Sequence, residues 1–509
     1  YGDHRDIHTF PTRRSSDLVE KVMQTTYLDF MMDLIGKKIT LTDKNRKLMD
    51  LVHAGALSPD ERRLLLWHTA FKGSLAYKDG IEAYLANIEK KFTPSEHFIF
   101  QNEVIISRAE IRSLFLADYQ YMPLMKRVHE IKKIMSARLK VRYISLVEET
   151  KSKHNDQIDR ILRKEEEGPE RRDRVVALMD ARDAKIKEIQ AENTHAVKKY
   201  MSLFPELSFM QVYDDLLMDE TLMKHYFGTL LTDEQIHYHI QVTRQLKSKL
   251  KFELEDLAAL LYIKHRLHGF SEPVEVTTLV IDEAQDFSNF QFWILKYVLK
   301  TDRLTLLGDL SQGIHAYRGT KSWNDVMQEV FPEAMPSYMT LVQSYRTTVE
   351  IMNLANRVLS KLNQNDLILA KPVIRHGQEP ILQSFDETKS LYTALNAKIE
   401  ELKSAGYKSI AILGKTLGEC QLIKKQFDQS KKHSVKILDE KEEHYHAGLI
   451  IVPSYFAKGL EFDAVIITTL SESYQDSELD IKLLYVAMTR SLHRLDVFYM
   501  KGTQPLLDV

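Results

Sequence analysis

A chain of 509 residues, 44% apolar and 28% charged, has ordinary globular composition and is too long for one hydrophobic core, so several domains are expected. No stretch has the length and apolarity of a membrane span, and the single cysteine, Cys420, excludes an internal disulfide framework and fits a reducing, cytoplasmic location. The formal charge of −2 excludes a global electrostatic pull toward nucleic acid and leaves only a local basic groove for such contact.

Residues 1–18 (YGDHRDIHTFPTRRSSDL) lack apolar periodicity and the regions of a signal peptide. The run HTFPTRRSSDL resembles the conceptual translation of a sequencing-library adapter, so a non-native tail is expected there; the alternative is a disordered basic tail. From Val19 to Arg46 the pattern reads as a short strand, a turn and a helix that begins at Tyr27, with Thr25 and Thr26 as capping residues.

Residues 47–249 carry almost no strand signal, and their Leu, Ala, Glu, Lys and Arg recur at helical spacing. Leu124 to Gly168 reads as one very long helix, with Gly168-Pro169 as stop and restart. The next helix carries Val175, Leu178, Met179, Arg182, Ile186 and Ile189, a narrow apolar stripe among dense charge, which predicts an antiparallel helical hairpin projecting from the body. The rest of the region reads equally well as a bundle packed on the core.

After Leu250, β-rich runs alternate with helical ones: 277–281, 303–308, 339–343, 409–414, 449–453 and 463–469. Continuous apolar strands between helices predict an α/β fold with two parallel sheets covered on both faces, meeting near 330–345.

The chemistry-bearing motifs fall at the ends of these strands. Asp282-Glu283-Ala284-Gln285-Asp286 directly follows Thr278–Ile281, and ligand chemistry in parallel sheets sits beyond the carboxyl ends of strands. Adjacent carboxylates suit one that holds Mg²⁺ through water and one that orients an attacking water. Gly308-Asp309-Leu310-Ser311-Gln312 offers an amide that senses a phosphate oxygen. In Gln343-Ser344-Tyr345-Arg346-Thr347-Thr348, Arg346 offers a planar charged fork and Tyr345 a ring face. Ala457 to Asp463 precedes an apolar strand, and Leu484 to Arg490 ends on an arginine placed for an in-cis finger.

In this order the segments resemble helicase motifs II to VI of the UvrD/Rep-like superfamily 1, over roughly residues 255–500. The resemblance implies two RecA-like (P-loop NTPase) domains with a long all-helical insert in the first. The first would comprise 19–46 and 250–336, the insert 47–249, and the second 337–509. It implies ATP and Mg²⁺ as cofactors, with Asp282 as the magnesium carboxylate and Glu283 as the catalytic base. Gln312, Arg346 and Arg490 would contact the γ-phosphate and Tyr345 would stack on adenine. Glu461 would lie near the ribose beside Gly459, and Asp309 would support the pocket.

Two departures stand out. No G-x-x-x-x-G-K-[ST] occurs in the 509 residues, so a chain without the phosphate-cradling loop, inactive by itself, is expected. At His315 to Gly319, unwinding relatives carry a base-stacking tryptophan where this chain has Tyr317, followed by Arg318; both are candidate nucleic-acid contacts.

The phrases MQTTYLDF, DLAALLYIKHRLHG, IVPSYFAKGLEFDAVII and LLYVAMTRSLHRL, with the helical insert, look like HelD. That family consists of bacterial RNA-polymerase-associated ATPases, and the resemblance implies RNA polymerase as partner, with DNA or RNA also possible and no membrane. Three functions follow: a polymerase-recycling ATPase, a DNA helicase or translocase of the repair type, and a nucleotide-dead interaction module formed by the insert. His444 and His446 lack a second ligand cluster and read as ordinary surface histidines. The methionines read as core filler, and Lys164 to Arg174 as a solvated helix end.

Overall fold

A computed structural model describes residues 24–42, 57–270, 272, 274–301, 303–315, 317–362, 367–430, 432–438, 448–504 and 506–507. The expected tail at 1–18, the strand from Val19, and His444 and His446 lie outside the described residues.

The helix Tyr27–Ile35 starts where the Thr26 hydroxyl accepts the Asp29 N–H at 3.1 Å, and ends on Gly36, whose φ of 62° only glycine adopts cheaply. The chain leaves this region at Thr42 and returns at Phe252. The two ends are tied there: Thr42 N–H donates to the Phe252 carbonyl at 2.7 Å and Phe252 N–H to the Thr40 carbonyl at 3.0 Å. The segment between is thus a closed excursion from one body.

Among the described residues its longer helices are Pro59–Lys72, Leu75–Lys91, Leu124–Lys164, Pro169–Met201, Phe209–Met218, Glu220–Phe227 and Asp233–Ser248. The expected hairpin is present. The helix Leu124–Lys164 has 41 residues, roughly 60 Å at 1.5 Å per residue, and Pro169 restarts the chain in the antiparallel direction.

An all-helical insert, however, is not what the structure shows. Strands β1 (Phe98–Phe100) and β2 (Glu103–Ile106) form an antiparallel hairpin. Gln101 and Asn102 both take positive φ, 49° and 64°, as a tight two-residue turn requires. Alternation left the segment too short to read as strand, but Phe98, Phe100 and Ile106 are buried, and the turn is held by Gln101 N–H donating to Glu192 at 3.0 Å.

One continuous core runs from Met31 through the insert to Val330 and includes the buried helix Asp256–His268. Within it lies an ionic knot. Lys72 Nζ contacts Glu253 Oε2 at 2.8 Å and Asp256 Oδ1 at 2.5 Å, Tyr213 donates to Asp256 at 2.5 Å, and all four side chains are buried.

The strands after 250 form parallel sheets. β3 (Leu279–Ile281) pairs with β4 (Leu304–Leu306). β5 (Gln343–Ser344) pairs with β6 (Lys371–Pro372). The larger sheet has six parallel strands in the order β7-β12-β11-β8-β10-β9, comprising β7 (Ile381–Phe385), β8 (Ile410–Gly414), β9 (Lys436–Ile437), β10 (Leu449–Pro453), β11 (Phe462–Thr469) and β12 (Ser491–Met500). The run 339–343 is strand only at its end. Met339 and Leu341 are exposed, and only at Val342 to Ser344 does the backbone meet Lys371 to Val373. No helix among the described residues is long and apolar enough to cross a membrane.

Candidate functional site

β3 ends at Ile281 and delivers Asp282 and Glu283 to the loop beyond its carboxyl end. Leu307 N–H donates to the Ile281 carbonyl at 2.8 Å and Ala284 N–H to the Leu307 carbonyl at 2.8 Å, so the loops after β3 and β4 are held side by side. Glu283 sits at φ 51°, a left-handed conformation uncommon for a residue with a side chain, and its N–H donates to Asp282 Oδ1 at 2.8 Å. Asp282 itself is exposed. An exposed carboxylate beside a second one fits outer-sphere magnesium, although no cluster of metal-ligating side chains occurs among the described residues.

From Glu283 a chain of hydrogen bonds crosses to the six-stranded sheet. Gln285 Nε2 donates to Glu283 Oε2 at 2.6 Å, and Gln285 Oε1 accepts the Asp309 N–H at 3.0 Å. Asp309 Oδ2 accepts from Gln312 Nε2 at 2.8 Å, while its Oδ1 accepts the Ser311 N–H at 2.9 Å. Gln312 Oε1 then accepts from Arg490 Nη2 at 2.8 Å. Gln285 is 1% exposed and its place is reserved by glycines. A Cβ on Gly308 would stand 2.6 Å from Gln285 Oε1, and one on Gly319 would stand 2.3 Å from the Gln285 carbonyl oxygen.

Arg490 follows the helix Glu478–Thr489 and is 1% exposed, with its Nε donating to the Val486 carbonyl at 3.1 Å. Burial, then the nearby Arg346 charge, pull its pKa from 12.5 to about 10, against the opposing fields of Glu283 and Glu461. Arg346 is itself ion-paired, its Nε 2.7 Å from Glu461 Oε1. Tyr345 is 69% exposed and presents an open ring. Gly459 takes φ 83°, with nothing within 4 Å of a Cβ built on it.

The structure therefore brings Glu283, Asp309, Gln312 and Arg490 into one bonded chain, with Arg346 and Glu461 close enough to act on Arg490. It does not support the nucleic-acid candidates. Tyr317 is 6% exposed and packs into the core that includes Ile314 and Leu354, so its ring offers no open face for a base. Arg318 is turned inward too, with its side chain 11% exposed and its Nη1 3.5 Å from Glu255 Oε1. Burial is what removes these two residues from the surface.

Two residues inside the motifs have roles that the sequence reading left blank. Gln285 is the link between Glu283 and Asp309. Lys458 Nζ lies 3.2 Å from Glu283 Oε2 and 2.7 Å from Asp286 Oδ2. Burial works to raise the Glu283 carboxyl, but Lys458, the Gln285 hydrogen bond and Arg490 outweigh it and hold the group below the usual carboxylate range. Burial wins at Asp286, whose carboxyl is raised despite Lys458. Asp463, by contrast, is structural, accepting the N–H groups of Lys408 and Ser409 at 2.8 and 2.9 Å.

Comparison with known proteins finds helicase domains and helicase relatives. The family model of the UvrD/REP helicase N-terminal domain matches residues 124–329, and that of the UvrD-like helicase C-terminal domain matches residues 449–497. A DNA helicase II homologue of Mycoplasma capricolum is 29% identical over 142 residues, 26% of this chain and 19% of that protein. DNA helicase II of Haemophilus influenzae is 27% identical over 159 residues, 30% of this chain and 20% of that protein. The ATP-dependent DNA helicase PcrA of Staphylococcus epidermidis is 36% identical over 81 residues, 16% of this chain and 11% of that protein. A solved C-terminal domain of a possible DNA helicase from Lactobacillus plantarum WCFS1 is 28% identical, with 32% of this chain and 92% of that one covered and a TM-score of 0.27. The matched region spans about a fifth of the length of the helicase II relatives. With a DEAQD loop, a GDLSQ loop and a terminal arginine joined at one site, the chain carries UvrD-like helicase domains of superfamily 1.

Proposed function

We propose that this chain is the catalytic portion of an ATP-driven motor that uses domain movement to remodel RNA polymerase or release it from nucleic acid. The observation that carries the motor reading is the unbroken chain from Glu283 through Gln285, Asp309 and Gln312 to Arg490, which links the loop after β3 to the helix entering β12. A change at one end is felt at the other through a continuous set of partly buried hydrogen bonds.

In this reading Glu283, held ionised by Lys458 and Gln285, accepts the proton of the attacking water. Gln312 and Arg490 answer to the γ-phosphate, and the exposed ring of Tyr345 stacks on the adenine. Magnesium bound near Asp282 would neutralise charge on the phosphate oxygens. Arg346 would leave Glu461 for phosphate, and Glu461 would then be released toward the ribose.

The polymerase reading is supported by the projecting hairpin Leu124–Met201, a rigid arm suited to wedging against a protein, and by the inward-turned Tyr317. The second reading, a DNA helicase of the UvrD/Rep type, is favoured by the relatives that carry that name. Pull-down of core RNA polymerase by the 509-residue chain, beside a single-strand-DNA binding assay, separates them. Retention of polymerase with weak DNA binding supports the first, and the reverse supports the second. No G-x-x-x-x-G-K-[ST] segment occurs in the sequence to cradle the β- and γ-phosphates. Each such charge-assisted contact is worth roughly 1.5–3 kcal/mol, so the chain by itself is expected to bind ATP weakly and not to turn it over.

A further inference from the structure

Lys458 stands in the loop before β11, on the side of the six-stranded sheet, yet both its polar contacts are to the loop after β3. Its Nζ is 2.7 Å from Asp286 Oδ2 and 3.2 Å from Glu283 Oε2, and its side chain is 11% exposed. Asp286 Oδ1 is buried with no hydrogen-bond partner among the described residues, so Lys458 is the contact that fixes this carboxylate. The remaining groups acting on Glu283 are Gln285 and Arg490, and Arg318 acts on Asp286.

We propose that Lys458 is the positioning residue for Glu283, a tether that keeps the carboxylate aimed into the site and makes its placement depend on where the six-stranded sheet stands. A lysine suits this task because a compact ammonium on a flexible stem bridges two carboxylates that do not share a plane. Arg490 reaches the same loop only through Gln312, Asp309 and Gln285, whereas Lys458 touches Glu283 directly. Movement of the second sheet thus acts on Glu283 by two routes, of which the Lys458 route is the shorter. The assignment rests on reading Glu283 as the base.

The test uses the 509-residue chain and needs no turnover. Hydrogen–deuterium exchange read by mass spectrometry follows the loop 282–287 in wild type, K458M and K458R, with thermal unfolding as the control for global stability. Exchange across 282–287 is expected to quicken several-fold in K458M and to stay near the wild-type rate in K458R. A lysine that only packs would shift exchange across the whole domain alike, and an unchanged rate across 282–287 in folded K458M overturns the proposal. Should K458M fail to fold, D286N decides: with the Asp286 anchor of Lys458 removed, exchange across 282–287 must quicken, and an unchanged rate overturns the tether. If the protein never binds ATP, the reading of Glu283 as base fails while these exchange results stand, so the two failures are separable.

Discussion

Arg490 donates from Nη2 to Gln312 Oε1 at 2.8 Å, a charge-assisted hydrogen bond between residues 178 positions apart that joins the end of the helix before β12 to the loop after β4. Arg490 is buried and Gln312 half-buried, so the bond is only partly screened by solvent. A double-mutant cycle with Gln312→Ala and Arg490→Ala is expected to return a coupling of about 1–3 kcal/mol in urea unfolding. Additive single effects would show that the two residues are neighbours without being partners.

Gly319→Ala tests the seat of Gln285. The new Cβ would meet the Gln285 carbonyl oxygen at 2.3 Å, and that same oxygen accepts the Thr320 N–H at 3.1 Å. Backbone cannot yield as a flexible side chain does, so a loss of about 1–3 kcal/mol is expected. Thermal unfolding indistinguishable from wild type would mean that the loop relaxes freely.

The knot at Lys72 predicts an asymmetry. Lys72→Met removes the ammonium that the buried Glu253 and Asp256 share, in a site where the His68 ring also lies 3.1 Å from Glu253, at a cost of about 3–5 kcal/mol. The triple variant Lys72→Met, Glu253→Gln, Asp256→Asn removes all three charges and is expected to recover part of that loss. Chemical denaturation of the two variants compares them directly, and a triple variant less stable than the single one would refute the account.

Glu350 carries a pH dependence. It lies in the first turn of the helix Val349–Leu359, with His376 Nδ1 2.8 Å away and the Gly377 N–H donating at 2.8 Å, and the His376 hydrogen bond first, then backbone donors, lower its pKa from 4.5 to about 2. A carboxylate depressed in the folded state contributes stability that is full above the unfolded value and is lost as pH falls through the folded one. The stability gap between wild type and Glu350→Gln should therefore be widest above pH 4.5 and close toward pH 2. A gap constant across that range would contradict the assignment.

Much of the site was legible because its residues follow apolar strands directly. Leu279-Val280-Ile281 before Asp282 and Leu304-Thr305-Leu306 before Asp309 announce their loops by texture alone. The long helices of the hairpin were equally plain, since Gly168-Pro169 punctuates an otherwise unbroken helical pattern. β12 was not legible. Its residues His493, Arg494 and Asp496 interrupt the apolar run, and only in the fold do Arg494 and Asp496 pair in the buried interior at 3.1 Å.

Sequence by itself determined the strand ends, the hairpin and the identity of the charged groups, because each depends on neighbours a few positions away. Tertiary structure alone decided which of those groups meet. Lys458 reaches Asp286 across 172 positions, and Tyr317, an aromatic residue that pattern alone offers as a stacking surface, is turned into the core with Ile314. Local pattern specifies what a side chain is able to do. Burial and long-range contact, which no short window contains, specify whether it faces a ligand, a partner or the interior.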